Sequence, residues 1–301
     1  MKNLRLLVLF LMLCCILIIH GCSIMEKGKR LVDKHGVGAK WSGDGQTLIY
    51  LKGEDSNLYL YNTNTRKRSV LQLSAPTFVS FDSSPDGKSI VIQDYYKQIK
   101  IINIFKAKAT RISILKNYVH KIFWLTPDQL IYTIESPDAT SYDLYSLNLN
   151  TKKSTKILGH ASQVIRSYDS PTFIYTQEFQ YYLYDVANRT TKALKSDTLT
   201  GPNSSAELIF LSKRQAIYYV EYAGAENKTR FYTLDIASMK TKEFNLPDTT
   251  NHMGISPDLT KYWYVYEYGH GDWYSPSGSE LYLVDIPVET IKQIKGNPST
   301  P

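Results

Sequence analysis

The stretch richest in groups able to do chemistry is Tyr266-Glu267-Tyr268-Gly269-His270-Gly271-Asp272-Trp273-Tyr274. Aromatics set among Gly, His and Asp suit recognition of a peptide, a sugar ring or a partner surface. Tyr266, Tyr268, His270, Asp272, Trp273 and Tyr274 are therefore the candidate binding residues. An ordered loop folded on its own aromatics is the alternative. Elsewhere the reactive residues are scattered. There is no Gly-x-Ser-x-Gly and hence no sign of a nucleophile elbow. No catalytic residue and no cofactor is assigned. Glu135, Asp138, Glu267 and Asp272 are the acids that a glycan lyase, hydrolase or lactonase would have to draw on. Beyond residue 21 the histidines are His35, His120, His160, His252 and His270. No two stand at metal-ligand spacing, and no metal site is assigned.

The elements that position these residues are repeats. Turns stand at Ser42-Gly43-Asp44-Gly45, Ser84-Pro85-Asp86-Gly87, Thr126-Pro127-Asp128, Ser170-Pro171, Ser212-Lys213 and Ser256-Pro257-Asp258. Their starts are 42, 42, 44, 42 and 44 residues apart. Pro at the second turn position, with Asp and Gly after it, is favourable turn chemistry. An apolar strand follows each turn, as in Ile90-Val91-Ile92. After a variable loop comes a second strand rich in aliphatics and Tyr, ending at Asn62, Asn103, Asn148, Asp185, Asp235 or Asp285. A polar turn leads to a last strand, and another strand precedes the next Ser/Thr turn. Four antiparallel strands in about 40 residues make a propeller blade, so the fold expected is an all-β six-bladed β-propeller.

The S-P-D-G-K-x-I unit, followed by L-Y-x-Y/D and a polar turn, resembles the TolB-type propeller repeat over residues 35–295. That resemblance implies protein–protein work at a cell envelope. It does not separate binding proteins from enzyme accessory domains.

Residues 1–21 read as a signal peptide, with Lys2 and Arg5 ahead of an apolar run from Leu6 to Ile19. The run is too short to span a bilayer as a helix. Ile19-His20-Gly21-Cys22 resembles a bacterial lipobox, which implies lipidation at Cys22. Residues 22–34 are then a tether, 35–295 the propeller and 296–301 a disordered tail. The expected location is the outer side of a cell membrane, held by an N-terminal lipid. All three Cys lie at or before position 22, so the exported domain has no disulfide.

The formal charge of +7 falls to +5 without Lys2 and Arg5. Many of its cations sit on or beside the last strand of each repeat: Arg66, Lys67 and Arg68; Lys106, Lys108 and Arg111; Lys152, Lys153 and Lys156; Arg189, Lys192 and Lys195; Lys240 and Lys242; Lys292 and Lys295. A spaced belt of this kind argues against a nucleic-acid groove. It fits protection of edge strands, and attraction to anionic lipid or wall polymer stays open.

Function on a propeller sits on its loops. The long segments Glu135 to Tyr142, Ser196 to Ala206, Ala223 to Arg230 and Glu267 to Glu280 should emerge on one face, opposite a plain face of tight turns. The expected activity is binding of a protein, peptide or envelope glycan by a monomer through the long-loop face. The rival is a propeller enzyme with its site at the channel mouth.

Overall fold

The strand after each turn is apolar without alternation, as in Leu48-Ile49-Tyr50-Leu51. Such a run is stable where both faces of its sheet are covered. A ring of radially packed sheets covers both. The computed structural model describes residues 28–52, 55–72, 78–94, 96–106, 108–114, 119–137, 141–178, 180–195, 199, 204–222, 229–246, 252–268 and 278–295. These form six four-stranded antiparallel sheets, the blades of a six-bladed β-propeller.

In chain order the first strand, β1 (Lys29–Lys34), stands apart from the rest. Blade 1 holds β2 (Gly36–Trp41), β3 (Thr47–Lys52), β4 (Asp55–Asn62) and β5 (Arg68–Leu71). Blade 2 holds β6 (Phe78–Ser83), β7 (Ser89–Asp94), β8 (Gln98–Asn103) and β9 (Lys108–Ile114). In blade 3 the strands are β10 (Val119–Thr126), β11 (Gln129–Glu135), β12 (Tyr142–Asn148) and β13 (Ser154–Ala161). Blade 4 has β14 (Val164–Arg166), β15 (Thr172–Gln177), β16 (Gln180–Asp185) and β17 (Thr190–Leu194). Blade 5 has β18 (Ser204–Leu211), β19 (Gln215–Tyr222), β20 (Thr229–Asp235) and β21 (Thr241–Phe244). Blade 6 takes β22 (Met253–Ile255), β23 (Lys261–Tyr268) and β24 (Gly278–Asp285), and its outer strand is β1. A helix, α1 (Val288–Lys295), follows.

One expectation is corrected at this closure. Residues 29–34 belong to the propeller and not to a tether, because β1 pairs antiparallel with β24 from Lys29↔Val284 to Lys34↔Glu280. The last blade thus takes its outer strand from the start of the chain. After Asp285 the chain turns into α1, which carries Lys292 and Lys295 and buries Ile294 against blades 5 and 6. Borrowing the first strand ties the chain ends together. Asp33 of β1, 3% exposed, accepts the Tyr50 hydroxyl at 2.8 Å and lies 3.3 Å from Lys52 and 3.5 Å from Arg68. All three partners belong to blade 1, so the closing strand latches blade 6 to its neighbour.

Six apolar clusters fill the six interfaces between blades. Neighbouring residues of one strand serve different clusters: Leu48 and Tyr50 pack toward blade 6, and Ile49 toward blade 2. This accounts for the unbroken apolar runs. Tyr pairs reinforce five of the blades. Tyr50–Tyr59, Tyr132–Tyr145, Tyr175–Tyr182, Tyr218–Tyr232 and Tyr264–Tyr282 stand directly opposite across strands. Their rings stack at 5.2–5.5 Å. Blade 2 has Ile92 and Lys100 there instead.

In five blades the turn between the first and second strands joins a Ser or Thr hydroxyl to an Asp carboxylate, whereas in blade 5 Ser212 bonds Gln215 instead. Ser84 Oγ donates to Asp86 at 2.6 Å and accepts the Ser89 N–H at 2.9 Å. The same pairing joins Ser42 to Asp44 (2.5 Å), Thr126 to Asp128 (2.8 Å) and Ser256 to Asp258 (2.6 Å). In blade 4 it joins Ser167 to Asp169 at 2.8 Å. The turn of that blade therefore starts at Ser167, not at Ser170-Pro171, and the register slips by three residues. Ser170 only supports it, bonding Ser167 and Thr172. Adjacent turns also interlock. The Gly43 N–H donates to Ser83 Oγ at 2.8 Å, and a Cβ on Gly87 would stand 2.8 Å from the Asp44 carboxyl carbon.

Candidate functional site

Strand direction divides the ring into two rims. The Ser/Thr turns, the Asn/Asp turns and α1 lie on one, here the turn rim. The second-to-third-strand and blade-to-blade connections lie on the other, the loop rim. The strand ends that flank all four long segments named above lie on the loop rim. Of the candidate binding residues, Tyr266 is 50% exposed near the loop-rim end of β23, and its backbone pairs with Glu280. Tyr268 closes the same strand, where its backbone pairs with Gly278. His270, Asp272, Trp273, Tyr274 and Cys22 lie outside the described residues. Tyr96, 65% exposed between β7 and β8, adds a second aromatic to the loop rim. Nothing in its surroundings in the sequence marks it out.

The innermost strands carry a set of charges that the repeat pattern does not reveal. At the turn-rim end of the channel, Arg166 of blade 4 reaches to blade 2. Its Nε lies 3.1 Å from Asp82, and the guanidinium stacks 5.0 Å from the Tyr168 ring. Asp82 also accepts the Trp124 N–H of blade 3 at 2.9 Å, and Ser80 accepts that of Ile122 at 3.1 Å. Lys40 of blade 1 donates to the Phe81 carbonyl at 2.6 Å. Burial holds the Lys40 ammonium below the usual lysine range, Asp82 opposes this, and Lys121 and Arg166 add to it. Two cations, Lys40 and Arg166, and one buried acid, Asp82, thus share this end of the channel, and their groups bond one blade to the next.

Toward the loop rim lies a cavity of about 90 Å³ between blades 3, 4 and 5. Lys121, Gln163, Thr176, Tyr181 and Glu207 line it. That is room for a few waters or a small polar group. Thr176 and Tyr181 are themselves buried, and Thr176 accepts the Gln163 N–H at 2.9 Å beside the three-residue β14. Burial lowers the Lys121 pKa, with Glu207 pulling the other way. Burial, and then Glu207, pushes the Tyr181 hydroxyl up to about 12. Glu207 also accepts the Tyr219 hydroxyl at 2.5 Å. The arrangement can hold a small anion or polar group against Lys121, and it offers an amine of reduced basicity. A wider cleft of about 530 Å³ separates blades 3 and 4 on the turn rim, lined by Thr126, Gln129, Ser146, Lys156, Tyr184 and Arg189. Asp143 occupies the Lys156 ammonium at 2.6 Å.

The histidines do not converge. His120 stacks on Tyr142 at 4.3 Å, and burial lowers its pKa first, Lys121 next. His160 belongs to β13, the outer strand of blade 3, rather than to an innermost strand, and its Nδ1 lies 3.1 Å from Ser141 Oγ. Among the described residues no three His, Cys, Asp or Glu side chains are grouped to hold a metal ion.

Comparison with known proteins agrees with the architecture. No family model matches the chain, and no curated protein matches its sequence. Solved structures do match. An oligogalacturonate lyase in complex with manganese shares 14% identity at a TM-score of 0.54, over 86% of this chain and 79% of that one. An oligogalacturonate lyase from Vibrio parahaemolyticus shares 12% at 0.56, over 85% and 79%. The WD40 repeats of RRP9 share 9% at 0.59, over 87% and 98%. At such identities the likeness is one of fold. It includes an enzyme and a repeat domain of a different kind, so the propeller alone does not decide between catalysis and binding.

Proposed function

We propose that the chain is a membrane-anchored, extracytoplasmic binding lipoprotein of the TolB-like kind, lipidated at Cys22. Its loop rim holds a protein, a peptide or an envelope glycan. One observation carries the reading: the two rims are built to different rules. The turn rim repeats one hydrogen-bonded turn in five blades. The connections vary most on the loop rim, where exposed Tyr96 and Tyr266 stand. Exposed aromatics on an irregular rim are the usual anchors of a recognition surface. The test is a pull-down from a membrane fraction with the intact lipoprotein, run beside Trp273→Ala and Tyr268→Ala. A partner held by the wild type and lost by the variants supports the reading. The same partners at the same yield in all three remove that loop from it.

The second reading, a propeller enzyme acting on a glycan, is favoured by Lys121. A lysine of lowered basicity in a cavity beside Glu207 and Tyr181 is suited to proton abstraction. Incubation with oligogalacturonate, followed for unsaturated chain ends, tests it. Turnover by the wild type that Lys121→Met abolishes would displace the binding reading.

A further inference from the structure

The belt of cations runs along the outer strands, with Arg68, Lys108, Arg111, Lys156, Lys192 and Lys242 within them, and continues onto the turns that precede them. Arg66 and Lys67 come before β5, Lys106 before β9, Lys153 before β13, Arg189 before β17 and Lys240 before β21. All are exposed. The cations within the outer strands suit protection of the blade edges; those on the turns stand together on one rim. In blade 6, α1 extends the series with Lys292 and Lys295. The acids of the same rim, among them Asp44, Asp86, Asp128, Asp169, Asp185, Asp235, Asp258, Asp285 and Glu289, keep their negative charge beside these cations. Asp86 and Asp258 take serine hydroxyls, while Asp185 and Asp235 take the turn amides of Asn188 and Ser238. The strand ends of the loop rim are balanced by comparison, with Lys34, Lys97, Lys195 and Arg230 against Glu135, Glu178, Glu267 and Glu280.

Two further features fall on the turn rim. Phe105 and Val288, 78% and 66% exposed, stand among its cations. The chain also enters the fold there. The Asp285 N–H donates to the Gly28 carbonyl at 3.2 Å, so β1 starts beside the end of β24. Cys22 is seven positions before Lys29, a reach of about 25 Å at most. The ring itself is about 20 Å deep along a six-residue strand.

We infer that the turn rim is a docking face for an anionic phospholipid bilayer. The face lies on the headgroups through its ring of Lys and Arg, with Phe105 and Val288 at the headgroup level, and the loop rim points away from the membrane. Its direction relative to the anchor rests on lipidation of Cys22; the affinity of the face for lipid does not.

The experiment uses a chain beginning at Ser23. This chain has no lipid site and keeps every strand, since the strands run from Lys29 to Asp285. Co-sedimentation is measured with vesicles of phosphatidylglycerol and phosphatidylcholine in equal parts and with vesicles of phosphatidylcholine alone. Binding is expected to be at least ten-fold tighter to the anionic vesicles and to fade with added salt. Lys106→Glu combined with Lys153→Glu should weaken it about twenty-five-fold, at about five-fold for each basic residue near an anionic surface. Lys34→Glu combined with Lys195→Glu makes the same change in net charge on the loop rim and should weaken it less than two-fold. Equal binding to both vesicles, or equal losses in both double variants, overturns the inference. Failure of the Cys22 reading is seen separately, as an unmodified N-terminal mass in protein taken from membranes.

Discussion

The two rims of the ring differ in what their sequences are committed to. On the turn rim, a Ser/Thr hydroxyl donates to an Asp carboxylate in five blades, a strand amide completes the circuit in blades 1, 2 and 6, and adjacent turns touch. Each turn satisfies its own polar groups, and a change there acts on stability. On the loop rim the blades part company, and substitutions there should act on what the protein holds. The difference teaches that regularity in a repeat marks what every copy needs for packing. Departure from it marks what only one blade does.

The largest effect is expected where the loop rim breaks this rule. Asp33 lies near the loop-rim end of β1, yet it is buried and latches the ring. Asp33→Ala leaves Tyr50, Lys52 and Arg68 without their acceptor and should lower unfolding stability by about 3 kcal/mol. Asp33→Asn keeps an acceptor for Tyr50 and should lose clearly less. Urea unfolding measures both. A loss below about 1 kcal/mol for the alanine variant would show that the latch adds little and that the apolar interface alone closes the ring.

Next comes a direct comparison of the rims. Ser84→Ala removes a donor to Asp86 and an acceptor for the Ser89 N–H, and should reduce stability by about 1–2 kcal/mol. Tyr266→Ala, half-exposed on the other rim, should stay within about 0.5 kcal/mol. Similar losses for the two would break the contrast.

The turn rim should also be the acid-sensitive part. The Ser84 hydroxyl holds the Asp86 carboxyl below the usual range. At Asp258 burial acts upward, but the Ser256 and Thr260 hydroxyls and the Thr260 amide outweigh it. A carboxyl with a depressed folded pKa stabilises the fold fully above its unfolded value, about 3.9, and that contribution fades as pH falls through the folded value. The stability gap between wild type and Ser84→Ala should therefore be full at neutral pH and close below about pH 4. A gap that stays constant down to pH 2 would mean that the carboxylate has no part in it.

The parts of the fold that recur were legible in the sequence. Six turn signals at near-constant spacing reveal the blades, because each copy must solve the same packing problem. The closing strand stayed open in the sequence: Arg30 to Asp33 could serve, but Lys29–Lys34 has no partner nearby in sequence and its apolar content is low. The blade 4 turn was misplaced because Pro171 mimics the pattern, while Ser167-Tyr168-Asp169 lacks the proline. The channel charges were hidden for a different reason. Lys40 and Asp82 stand two residues before their turns, Lys121 and Glu207 five before theirs and Arg166 one before its own, so equivalent places carry opposite charges and no repeated residue type announces them. The Tyr pairs could have been found from the Tyr three residues into five of the six second strands, Tyr50, Tyr132, Tyr175, Tyr218 and Tyr264.

The smallest expected effect is the one that asks whether the turn rim serves stability alone. Arg66, Lys152 and Arg189 adopt φ values of 60°, 56° and 53°, a left-handed backbone that suits glycine or asparagine better. If these turns served only the fold, a cation would be a poor choice at that position. Arg66→Gly should raise unfolding stability by about 0.5 kcal/mol and at the same time weaken binding to anionic vesicles about five-fold. Opposite signs in the two measurements would mean that the turn rim holds backbone strain in exchange for charge at its surface. A glycine variant that is less stable, or that binds the vesicles as well as the wild type does, would return this rim to a purely structural role.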